Sequence, residues 1–168
     1  MLKRVVLFMA AIVGWASFAV AQEAGVEEQR FRDWQVLRQV ETGKCAISIS
    51  VGLAQTNSGL ATINIIKRQN DEGVPAVMTI KVPLGVSLRS GLAYSHSGTS
   101  ETVGLAWQYC TPNTCLASGG ISSAEIANLK KDREIFLAFQ PLPNSRPIIV
   151  PVSLLGFTKA WRALQSCS

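Results

Sequence analysis

The chain has 168 residues, 48% of them hydrophobic and 16% charged, a length that suits one domain with a core of ordinary size. Its formal charge of +5 is scattered, apart from Lys67-Arg68 and the run Lys130-Lys131-Asp132-Arg133. Nucleic-acid binding requires a concentrated basic face with stacking aromatics, and that pattern is missing, so no nucleic-acid partner is expected.

The N-terminus reads MLKRVVLFMAAIVGWASFAVAQEAG. Lys3 and Arg4 form a positive leader, an apolar run follows from Val5 to Ala21, and Ala19-Val20-Ala21 supplies the small-x-small pattern cut by signal peptidase. Residues 1–21 are therefore expected to be a signal peptide. The apolar run only reaches the lower limit of a bilayer-spanning helix, roughly 17 residues, so no transmembrane span is expected in the mature chain. No cysteine follows the cut, which argues against a lipid anchor there. Cleavage leaves 147 of the 168 residues and removes two of the 16 basic ones, lowering the charge from +5 to +3. Residues 22–30 are small, acidic and without period, and are expected to form a flexible leader. Residues 31–168 are expected to fold as a single β-rich domain.

From Phe31 onward the pattern is mostly period-two alternation, the mark of strands with one buried face. DWQVLRQV places Trp34 and Val36 on one side, and CAISISVGL does the same for Cys45, Ile47, Ile49 and Val51. A turn at QTNSG leads into LATINIIKR, and QNDEGVP leads into AVMTIKVPLGVSL, where Ile80, Val82, Leu84, Val86 and Leu88 share a parity. Pro83 cannot donate a ladder hydrogen bond, so it marks an edge, a bend or a strand end. SGLAYSHSGTSETVGLAWQYC reads as a hairpin around a polar turn, its second strand placing Val103, Leu105, Trp107 and Tyr109 on one face.

SSAEIANLKKDR changes to a helical period: Ser122 or Ser123 can cap, Glu125 suits the positive end, and Ile126 with Leu129 forms a short stripe. EIFLAFQ and RPIIVPVSL return to strand on either side of the turn PLPNS. Phe157, Ala160, Trp161 and Leu164 then recur at helical spacing. The expected fold is mainly β: a single-domain antiparallel β-sandwich or curled sheet with two short helices.

The chain carries four cysteines, Cys45, Cys110, Cys115 and Cys167, an even count that favours disulfides in an exported protein. Three pairings are open. The turn chemistry of TPNT between Cys110 and Cys115 favours that bridge and leaves Cys45 with Cys167. A structural zinc site wants close Cys-x-x-Cys pairs, and a thioredoxin-like motif wants C-x-x-C at a helix start; C-x4-C fits neither. No metal or cofactor is expected.

His96 is the single histidine and lies in YSHSGTS. Without a G-x-S-x-G elbow it reads as a solvated turn residue rather than a triad member. No two carboxylates are placed together by sequence alone, and no glycine-rich phosphate loop precedes a helix. Trp34, Trp107 and Trp161 could form a sugar-binding platform, but each sits in an apolar pattern that points to the core.

The segments FRDWQV, GKCAIS, IKVPLGVSLRSGL, YCTPNTCLAS and VPVSLLGFTKAWRAL together resemble the invasion-associated locus B family, in order and across nearly the whole mature chain. The resemblance implies an exported, compact β-rich domain of the periplasm or cell envelope of α-proteobacteria, with an association with host-cell invasion in some pathogens and no defining enzymatic activity. It also implies a cysteine near position 38 as partner for the cysteine of GKC. Here that position is Arg38, and Cys167 is the additional cysteine. The resulting expectation is a non-catalytic envelope protein, periplasmic or associated with the outer membrane or cell surface, that acts on a protein partner of the envelope or of a host. The alternatives are a hydrolase using His96 and a small-ligand or glycan binder using the tryptophans.

Overall fold

The computed structural model describes residues 25–53, 56–68 and 73–167. The expected signal peptide lies outside the described residues. Ten strands and two helices follow in the order β1 (Val26–Phe31), β2 (Trp34–Gln39), β3 (Cys45–Leu53), β4 (Thr56–Lys67), β5 (Ala76–Pro83), β6 (Leu92–His96), β7 (Thr102–Cys110), β8 (Thr114–Ile121), α1 (Ser123–Lys131), β9 (Glu134–Phe139), β10 (Ile148–Ser153) and α2 (Phe157–Ser166).

The strands form one antiparallel sheet in the order β1-β2-β3-β4-β5-β8-β7-β6-β9-β10. Strand β7 is shared along its length: Thr102 to Leu105 pair with β6, and Ala106 to Cys110 pair with β8. The sheet curls until its two ends meet. Trp34 Nε1 donates to the Ser153 carbonyl at 2.9 Å, the Asp33 amide donates to the Leu155 carbonyl, and Ser153 Oγ donates to the Asp33 carboxylate. Of the two architectures expected, the curled sheet is the one formed.

The alternation read from the sequence sets the concave face. Trp34, Val36, Ile47, Ile49, Ile63, Ile65, Met78, Ile80 and Val82 are all buried there. Helix α2 closes this face with Phe157, Ala160, Trp161 and Leu164. Phe157 meets Trp34 edge-on at 5.1 Å between ring centroids and stacks on Trp161 at 6.3 Å. Full burial of such side chains contributes roughly 1.5–3 kcal/mol each, which makes this aromatic contact a main support of the fold.

Three expectations are corrected. Residues 26–30 of the expected leader, with Phe31 of the expected domain, form β1, paired with β2 from Val26↔Gln39 to Phe31↔Trp34. Backbone pairing creates this strand; its side chains from Val26 to Arg30 are exposed, so no hydrophobic alternation marks it. The shared parity from Ile80 to Leu88 breaks at Pro83, where β5 ends, and Leu84 and Leu88 are exposed while Ser87 is buried. In β7 a bulge at Gln108 pairs Tyr109 with Leu116 and turns Tyr109 out to 59% exposure.

Candidate functional site

Four polar side chains converge where β6 meets α1. Tyr94 and His96 are two residues apart on β6 and so point to the same side of the sheet. Helix α1 starts at the cap Ser122, whose Oγ accepts the Glu125 amide at 3.1 Å, and ends at the C-cap Asp132. Glu125 and Asp132 are seven residues apart, about two helical turns, and so share a face.

His96 lies between these two carboxylates. Its Nε2 is 2.7 Å from Glu125 Oε1 and its Nδ1 is 2.5 Å from Asp132 Oδ2. Tyr94 donates its hydroxyl to the same Glu125 oxygen at 2.7 Å. The His96 side chain is 12% exposed, so solvent screens these contacts only in part. Burial pulls the His96 pKa down, but the hydrogen bonds to Glu125 and Asp132 and their negative charges outweigh it and leave the pKa above the ordinary value. The Tyr94 pKa is driven up, by burial first and then by its bond to Glu125 and that carboxylate's charge. The imidazolium form satisfies both contacts by donating from each ring nitrogen.

This geometry overturns the reading of His96 as a solvated turn residue: it ends β6 and anchors α1. It also supplies the neighbouring carboxylates that a hydrolase would need, but a general base needs one ring nitrogen directed at a nucleophile, and both nitrogens of His96 face carboxylates. No group of three His, Cys, Asp or Glu side chains among the described residues is arranged to hold a metal ion. The sequence signal for the cluster was the seven-residue spacing of Glu125 and Asp132; the partner strand could be found only through the long-range pairing of β6 with β9.

The sulfurs are joined as Cys45–Cys167 and Cys110–Cys115, with Cα–Cα distances of 6.3 and 4.0 Å. The first ties the end of α2 to β3. The second closes the β7–β8 hairpin, where the two cysteines are directly paired. Arg38 lies opposite Cys45 in the β2–β3 ladder, so a cysteine at position 38 would share the ladder rung of Cys45.

Beside the Cys45–Cys167 bridge, β1, β2 and the end of α2 enclose an open depression of about 670 Å³. Glu27, Glu28 and Arg38 line it with Val36, Ala163 and Cys167. Trp34, Trp107 and Trp161 make no sugar platform. Trp34 and Trp161 are 1% and 3% exposed, and Trp107 is half-buried with its indole nitrogen unpartnered. No helix among the described residues is long and apolar enough to cross a membrane.

The family model for invasion associated locus B (IalB) proteins matches residues 34–165. The chain belongs to the invasion associated locus B family. Relatives include the invasion protein B homologues of Brucella abortus strains 2308 and 9-941, each 25% identical over 160 residues, covering 93% of this chain and 90% of the relative. The crystal structure of invasion associated protein b from Bartonella henselae superposes with a TM-score of 0.71 at 18% identity, covering 83% of this chain and 96% of that one. That likeness supports the IalB fold for the curled sheet with its two helices.

Proposed function

We propose that this IalB protein is an exported, non-catalytic envelope protein that acts by binding another protein, of the bacterial envelope or of a host cell. The observation that carries this reading is the arrangement of the His96 cluster, where the titratable side chains of Tyr94, His96, Glu125 and Asp132 meet. Both of its imidazole nitrogens are committed to Glu125 and Asp132, which suits holding α1 on the sheet rather than directing the imidazole at a nucleophile. The names of the Brucella and Bartonella relatives, and the small-x-small cleavage pattern at Ala19 to Ala21, support export and a role linked to invasion or the envelope.

The binding surface in this proposal is the depression beside the Cys45–Cys167 bridge, whose lining carries Glu27 and, opposite it in the β1–β2 ladder, Arg38, with Glu28 beside them. Affinity capture from envelope extracts and from host-cell lysates tests it, using the wild-type protein, Glu27→Lys/Arg38→Glu and His96→Gln. A partner retained by wild type and by folded His96→Gln, and lost by Glu27→Lys/Arg38→Glu, is the expected outcome. A substrate turned over by wild type and not by His96→Gln would replace this reading with the hydrolase.

A further inference from the structure

The two edges of the sheet are unlike. Strand β10 carries Pro151, which has no amide hydrogen to offer, at an exposed position. Strand β1 is six residues long, has no proline and no bulge, and is exposed from Val26 to Arg30. Its ladder phase shows which backbone groups face away from β2. Val40 donates its amide to the Gly25 carbonyl at 3.0 Å, while Gln39, the partner of Val26, donates to Lys44 on the other side. By alternation Glu27, Gln29 and Phe31 direct their amide and carbonyl groups at β2, and Val26, Glu28 and Arg30 direct theirs outward.

Charges on an edge strand ordinarily keep other strands away. Here their order is self-complementary. When two copies of VEEQRF run antiparallel about a two-fold axis through Gln29, Glu28 of each copy stands opposite Arg30 of the other. Those are the residues whose backbone groups point outward, so each Glu28–Arg30 rung would exchange two backbone hydrogen bonds and align one opposite-charge pair, twice over by symmetry. A shift of one residue in either copy places inward-directed groups at the contact and loses the bonds.

We propose that β1 is a self-association edge: two copies of this chain pair antiparallel through Val26–Phe31 in the register Glu28 opposite Arg30, joining two curled sheets into one. Gln29 lies on the axis and lines the depression, so the pairing would bring the depressions of the two copies side by side. The contact is small beside the roughly 1,200 Å² of a stable interface, so the dimer forms with a Kd of about 10–1000 μM. This inference does not depend on what else the protein binds.

Sedimentation equilibrium of the purified protein across that concentration range, with circular dichroism confirming the fold of each variant, tests it. The wild-type mass should rise toward twice that of one chain. Glu28→Arg sets Arg against Arg at both rungs, Arg30→Glu sets Glu against Glu, and each should weaken association by roughly tenfold. The double variant Glu28→Arg/Arg30→Glu should restore it. An equimolar mixture of the two single variants should also restore it, because one copy then presents arginine at both positions and the other presents glutamate at both, so each rung again pairs opposite charges. A mass fixed at one chain up to about 1 mM, single reversals that associate as wild type does, or failure of both the double variant and the mixture to recover association would each overturn the proposal.

Discussion

The indole nitrogen of Trp34, at the start of β2, donates a hydrogen bond of 2.9 Å to the carbonyl oxygen of Ser153, at the end of β10 and 119 residues away. This bond joins the two ends of the curled sheet, and the same ring packs edge-on against Phe157 of α2. Trp34→Phe keeps most of the packing and leaves the part-buried carbonyl without this donor, and should lower stability by about 1–3 kcal/mol in chemical denaturation. Trp34→Ala also empties the core and should cost about 3–5 kcal/mol. Equal losses for the two variants would mean that the hydrogen bond dominates and the packing contributes nothing.

Gly156 adjoins the same junction. Its φ is +96°, and a Cβ there would fall onto the Phe31 carbonyl oxygen. Gly156→Ala therefore combines an unfavourable backbone conformation with a backbone collision and should destabilise by more than about 2 kcal/mol in the same assay. A change within about 0.5 kcal/mol, the range of an ordinary surface substitution, would show that the turn before α2 is not held against β1.

The His96 cluster makes stability depend on pH with a definite sign. The folded-state pKa is above the ordinary value of 6.5, so the folded protein binds the proton more tightly than the unfolded one. The contribution is fully present below pH 6.5 and is lost as pH rises through the folded pKa. Melting temperature should fall across that interval in wild type and change less in His96→Gln. A wild-type curve that rises with pH there would reverse the assignment of His96 as an imidazolium held by Glu125 and Asp132.

The two disulfides differ in the length of chain they close. The chain-entropy estimate is about 5 kcal/mol for Cys45–Cys167, with a sequence separation of 122, and about 2 kcal/mol for Cys110–Cys115, with a separation of 5. Cys167→Ser should lower the melting temperature more than Cys115→Ser. The opposite order would place the greater stabilisation in the β7–β8 hairpin.

Much of this fold was legible because its cause is local. The alternation of Cys45, Ile47, Ile49 and Val51 required one buried face, and the spacing of Phe157, Ala160, Trp161 and Leu164 required a helix with an apolar stripe. Pro83 stopped β5 for the reason visible in the sequence. What escaped had causes elsewhere in the chain. Strand β1 exists because β2 supplies its hydrogen bonds, Tyr109 faces solvent because of a bulge against β8, and His96 is held by two carboxylates that a separate helix brings to it. The candidate site is of this second kind, and only its helix spacing, Glu125 to Asp132, could be read in one dimension.

The most direct test of an exported, disulfide-braced domain is mass spectrometry of the native protein, taken from its own bacterium without reductant and digested under conditions that preserve disulfides. Expected are an N-terminus at Gln22 and two linked peptide pairs, one joining Cys45 to Cys167 and the other Cys110 to Cys115. An intact Met1 with all four thiols free would contradict both export and the covalent frame on which the binding role rests.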